Sequence, residues 1–118
     1  MKADIVATAD FNDGYISVDL IGHKNNKNEE IVVTGSFILS RASELDNYTN
    51  WEKLSTFKLV SERPTRHLIN DFTVEQGRKY KYSIQQYNDN GLYSSRIFSN
   101  VVFSNLLIIP SGNCLLIK

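Results

Sequence analysis

Two histidines, one cysteine and thirteen acidic side chains are the groups in this 118-residue chain most able to do chemistry. His23 lies in a polar stretch, and His67 follows Thr65-Arg66 at the start of an alternating run. Neither has a ligand set or a catalytic partner at a useful spacing, so both read as ordinary imidazoles rather than as a base or a metal ligand. Cys114 sits among small and apolar residues, with terminal Lys118 as its one basic neighbour, and nothing there favours a reactive thiolate. One cysteine cannot close an internal disulfide, and with two histidines it does not make a zinc set. Asp10, Asp13 and Asp19 lack the spacing of a calcium loop, and Asp13-Gly14 reads as a turn. Glu29-Glu30 and Glu44 with Asp46 would serve as acid and base only inside a cleft that splits their pKa values; on loops they are solvated charges. There is no Gly-x-Ser-x-Gly elbow and no phosphate loop. The expectation is therefore a non-enzyme with no catalytic residue, no metal and no cofactor. Asn47-Tyr48-Thr49 matches a glycosylation triplet, but no secretory signal accompanies it.

Groups that could bind are easier to find than groups that could react. Trp51 either packs across a sheet or anchors a partner, since indoles are favoured at interfaces. Asn90, Leu92 and Tyr93 flank Gly91, where a loop tip would present them as contact residues or the following strand would turn them inward. Trp51, Asn90, Leu92 and Tyr93 are the expected binding residues. Together with Tyr48, Trp51 and Tyr93 would make an aromatic platform if one loop end gathered them.

The elements that must position these residues are strands. Ile16, Val18 and Leu20 alternate with polar residues, Phe37 and Leu39 do the same, and Tyr80 to Gln85 repeats the pattern. Each run is β-branched or aromatic and is bounded by Gly, Asn, Asp or Pro. Strands are expected near 4–9, 14–21, 32–41, 51–60, 66–73, 78–88 and 96–104. Seven short strands with turns between them predict an all-β, immunoglobulin-like antiparallel sandwich. The polar stretch from Gly22 to Glu30 is a long loop, and the segment from Ala42 to Trp51 is a loop with room for one helical turn. No internal repeat or low-complexity block is expected.

One stretch carries more than a pattern. Val74, Gly77, Tyr80, Tyr82, Ile84, Tyr87, Asn88 and Gly91 keep the spacing of a tight turn, a strand and a hairpin connection. Gly77 supplies a positive φ for the turn, and Tyr80 three residues later can fold over the sandwich end with its hydroxyl reaching back to the turn. Gly77 and Tyr80 are thus the expected structural pair. This stretch resembles the E–F turn, F strand and F–G loop of fibronectin type III domains. Gly35 to Arg41 looks like the family's C strand and Asn50 to Leu54 like the start of its C′ strand. The resemblance implies a seven-stranded sandwich over residues 1–105. Leu20 stands where the family usually carries a core Trp, and Gln76 replaces the Pro of its Pro-Gly turn. No Arg-Gly-Asp triplet exists, so integrin adhesion has no support. Residues 1–105 are also similar to the N-terminal domain of bacteriophage virion or tail structural proteins, which implies a building block of a particle.

Charge and the tail bound the partners. Thirteen basic and thirteen acidic residues give zero net charge, which removes any general pull on phosphate backbones, so no nucleic-acid partner is expected. No apolar run reaches the roughly 18 residues that span a bilayer, and no membrane association is expected. The early acid at Asp4 argues against a signal peptide, which leaves a cytoplasmic site of synthesis; the resemblance to phage proteins implies that this is a bacterial cytoplasm and that the chain is incorporated into a virion. Residues 106–118 form an apolar tail with Leu106 to Ile109 and Leu115 to Ile117, and they look like a truncated or altered ending. Such a tail needs a cover, as a hairpin on the sandwich or through a homo-oligomer. The expected partners are proteins, either further copies or neighbouring virion components. The alternative reading is a carbohydrate- or receptor-binding adhesion module.

Overall fold

The computed structural model describes residues 5–22, 27, 32–60, 64–91 and 93–104. Leu92, His23, most of the long polar loop and the apolar tail lie outside the described residues.

Alternation builds two facing layers. Strands β1 (Ile5–Asn12) and β2 (Tyr15–Gly22) form a hairpin through Asp13-Gly14, where the glycine takes a φ of 88°. Strand β3 (Gly35–Ser43) leads through a 3-10 turn (Glu44–Asp46) into β4 (Glu52–Leu59). Strand β5 (Arg66–Asp71) returns to the first layer, and β6 (Arg78–Tyr87) to the second. Two short strands follow, β7 (Ile97–Phe98) and β8 (Val102–Ser104). The first sheet has the order β1-β2-β5, the second β4-β3-β6-β7 with β8 also on β6, and every pairing is antiparallel.

The predicted core face is the observed one. Ile16, Val18 and Leu20 of β2, Phe37 and Leu39 of β3, and Tyr82 and Ile84 of β6 are all fully buried between the layers. Each such side chain contributes about 1.5–3 kcal/mol of hydrophobic transfer. Between β3 and β4 the helical turn is capped on both sides. Ser43 Oγ accepts the Leu45 N–H at 3.0 Å, and Asn47 closes the turn with a φ of 57°.

Among the described residues there are eight strands rather than seven because the last run is broken, and a short repeat breaks it. Ser94, Ser99 and Ser104 recur every fifth residue, followed each time by Ser or Asn, within Ser94-Ser95-Arg96-Ile97-Phe98 and Ser99-Asn100-Val101-Val102-Phe103. Each serine hydroxyl accepts a backbone N–H of β6: Gln86 at 2.9 Å, Tyr82 at 2.9 Å and Arg78 at 3.0 Å. The hydroxyl thereby takes the place of a ladder carbonyl. Donors four residues apart meet acceptors five residues apart, so the outer chain gains surplus residues. The nine steps from Tyr93 to Val102 run alongside the seven from Tyr87 to Tyr80. These are β-bulges, and they correct the expectation of a chain without internal repeats.

Candidate functional site

The end of the sandwich where β3 finishes and β6 begins holds its densest polar chemistry. The Tyr80 hydroxyl accepts the Glu75 N–H at 2.9 Å, folding the β5–β6 turn over the layer end. Gly77 sits in that turn with a φ of 82°, a conformation that costs other residues about 1–2 kcal/mol. Its N–H donates to the Ser104 carbonyl, and the Ser104 hydroxyl, fully buried, bonds the Glu75 carbonyl as well. The turn is therefore fastened to both β6 and β8.

Beside it, an ion pair crosses between the layers. Arg41 on β3 donates to Asp71 Oδ2 of β5 at 2.8 Å and to Thr73 Oγ1 at 2.8 Å, and its other terminal nitrogen meets Glu52 at 2.8 Å. Tyr82 sends its phenol hydroxyl to the same Asp71 Oδ2 at 2.7 Å, while Thr73 donates its N–H and hydroxyl to Oδ1. The Arg41 guanidinium also lies over the Tyr80 ring, 4.8 Å from its centroid. Burial alone would raise the Asp71 carboxyl, but the bonds from Thr73, Tyr82 and Arg41 outweigh it and hold the group below its ordinary value. Burial and the adjacent Asp71 carboxylate push the Tyr82 phenol far up, so it stays a donor at any working pH.

Above this pair opens a cleft of about 290 Å3, lined by residues that include Arg41, Asp46, Glu52, Glu75, Arg78 and Tyr80. Its charges are all engaged. Arg41 holds Glu52 and Asp71, Arg78 holds Glu75, and Asp46 accepts the N–H groups of Thr49 and Asn50. In the cleft the Thr73 hydroxyl bonds a carboxylate, Asp71, that Arg41 and Tyr82 already hold, and among the described residues no three His, Cys, Asp or Glu side chains converge as a metal site. This arrangement can brace two sheets and can present a polar rim to a partner.

The predicted binding residues do not gather in one place. Trp51 is half-buried against the outer side of the second sheet, 5.6 Å from the Phe98 ring. Arg96 lies over the indole at 5.1 Å, and Lys81 over Phe98 at 4.5 Å. Arg96 also donates to the fully buried Ser83 hydroxyl at 2.9 Å, so this row of two rings flanked by two cations covers Ser83 on that side. Asn90 and Tyr93 are exposed at the opposite end, where Tyr93 pairs with Tyr87 and meets its ring edge-on at 6.2 Å. Tyr48 follows the helical turn at the Tyr80 end. Because β3 pairs Ser43 with Tyr80 at one end and Ser36 with Tyr87 at the other, Tyr48 and Tyr93 lie at opposite ends of the molecule. A single aromatic platform of Tyr48, Trp51 and Tyr93 is not formed. Arg41, Asp71 and the serine ladder, by contrast, were not among the expected site residues.

No protein-family model and no curated protein matches the chain. Solved structures do match. A protein described as Fn3-like from Clostridium thermocellum superposes with a TM-score of 0.53 at 10% identity, over 100% of this chain and 99% of its own. The fold is fibronectin type III-like. The fibronectin-like sandwich also superposes on pectate lyase Pel3 from Pectobacterium carotovorum, with a TM-score of 0.51 at 12% identity. That match covers 90% of this chain but 28% of the lyase chain. At these identities the likeness is one of fold.

Proposed function

We propose that this chain is a non-catalytic structural and protein-interaction module of a phage particle, a tail or virion component that works by burying surface against further copies or neighbouring virion proteins. The observation that carries the non-catalytic part is that the cleft's charged groups already have partners within the chain: Arg41 holds Asp71 and Glu52, Arg78 holds Glu75, and Asp46 accepts backbone N–H groups of its own turn. A catalytic site needs a group poised for substrate. Support for the particle comes from the resemblance of residues 1–105 to phage structural proteins. The protein is then made in the bacterial cytoplasm and carried in the virion, with no nucleic-acid, membrane, metal or cofactor requirement. Mass spectrometry of purified particles and of the host lysate tests this. Peptides of the chain should co-purify with particles; abundance in the lysate with none in particles overturns the assignment.

The pectate lyase superposition favours a second reading, an adhesion or carbohydrate-binding module within a larger protein, because there the same fold forms part of a longer chain. Trp51 would be the ring that meets the ligand. Glycan-array binding lost in Trp51→Ala, with the circular-dichroism spectrum unchanged, would establish it; silence across a broad panel would remove it.

A further inference from the structure

We infer that the edge of β5 left unpaired among the described residues pairs with β5 of a second copy, joining two sandwiches through a continuous sheet. This rests on the reading of the chain as an interaction module and names the surface it uses.

The two sheets have four edges, and three carry devices that resist strand addition. At β1, the side chain of Asn100 accepts the Ala9 N–H at 2.8 Å and donates to the Ala9 carbonyl at 2.9 Å, occupying mid-strand the groups another strand would need. At β4, a register shift sets an extra residue into the strand, and Lys53 and Lys58 stand exposed along it. The edge formed by β7 and β8 is cut into pieces of two and three residues by the serine bulges. Short strands, bulges and lysines are the usual means of keeping edges from pairing. Strand β5 runs six residues in regular register against β2 with no bulge and no lysine, Pro64 standing just before it and Arg66 exposed at its start.

Its exposed side alternates polar and apolar residues, Arg66, Leu68, Asn70 and then Phe72. Gly22 donates to the Thr65 carbonyl at 3.2 Å, so by strand alternation His67, Ile69 and Asp71 turn their backbone groups to β2, while Leu68 and Asn70 turn theirs outward. Leu68 is 59% exposed, Phe72 68% and Val60, across the gap at the end of β4, 81%. Between β4 and β5 lie two clefts of about 250 and 220 Å3, one reaching Leu39, Leu54 and Ile69 of the interior. They flank the point where Phe57 stacks on His67 at 4.8 Å.

The edge matches itself. An antiparallel pair centred on Leu68 sets Leu68 against Leu68 of the second copy and Arg66 against Asn70, and the ladder ends where Pro64, with no N–H to donate, meets Phe72 side chain to side chain. Such a two-fold contact is self-complementary by construction, and zero net charge leaves no overall repulsion between copies.

Sedimentation of the full chain tests the pairing. The wild type should run at twice the 13.5 kDa of one chain, and Leu68→Lys should weaken the dimer at least about tenfold with an unchanged circular-dichroism spectrum. Directly opposed strand residues lie within disulfide reach, so Leu68→Cys in a Cys114→Ser background should oxidise to a covalent dimer, and Thr8→Cys in that background should not. A wild type that stays monomeric overturns the inference while leaving a role in the particle untouched. So does a dimer that survives Leu68→Lys but is lost in Leu107→Asp, which would assign association to the tail.

Discussion

Asp71 gathers four donors onto one carboxylate, from Arg41, Tyr82 and both groups of Thr73, with its side chain 3% exposed. Removing one partner of such a group leaves the others desolvated and unsatisfied. Tyr82→Phe should cost about 2 kcal/mol, the scale of a hydrogen bond to a charged acceptor, read as a lowered urea midpoint with an unchanged slope. Asp71→Ala should cost about 3–5 kcal/mol, because it leaves the Tyr82 hydroxyl, both Thr73 groups and one Arg41 nitrogen without their acceptor. Since the Asp71 carboxyl is held below its unfolded value, its contribution is present above the ordinary carboxylate range and is lost as pH falls through the folded value. Urea midpoints measured from neutral pH downward should therefore fall for the wild type and fall less steeply for Asp71→Asn. Part of this cluster was legible in the sequence. Tyr80 with Gly77 announced the folded-over end, and alternation put Tyr82 inside. Arg41 follows Phe37 and Leu39 on the inward phase, and Asp71 follows His67 and Ile69 on theirs, so two opposite charges on core-facing positions were the available signal. What spacing along one strand cannot supply is that β3 and β5, in different sheets, bring those positions together.

Strand β6 shows what pattern reveals about an element and what it hides. Its inward row, Tyr80, Tyr82 and Ile84, follows from period two, and the inward rows of β2 and β3 follow likewise. The last run was expected as one strand because Val101, Val102 and Phe103 look like any β segment. The signal missed was the serine at every fifth place, a period that fits neither strand nor helix and marks one added residue per bulge. Ser99→Ala should leave the Tyr82 N–H without its acceptor and cost about 1–3 kcal/mol in denaturant unfolding. Asn100→Ala should release both backbone groups of Ala9, and amide hydrogen exchange at Ala9 should then accelerate more than at Val18 on the central strand. Unchanged exchange at Ala9 would show that the carboxamide is not what protects it.

The whole molecule is asymmetric in how its layers are joined along their two long sides. On the β1 side, the bulged outer chain and Asn100 tie the sheets together; on the β4–β5 side, clefts open between them. Two-layer architecture was readable from composition and alternation alone, but this difference between the sides was not, because it depends on side chains that replace backbone partners. It makes the sandwich a clamshell with a spine and a mouth. Thermal opening should pivot on the spine, so a small apolar guest such as xenon should enter beside Leu54 and Ile69, and leave the methyl resonances near Ala9 undisturbed.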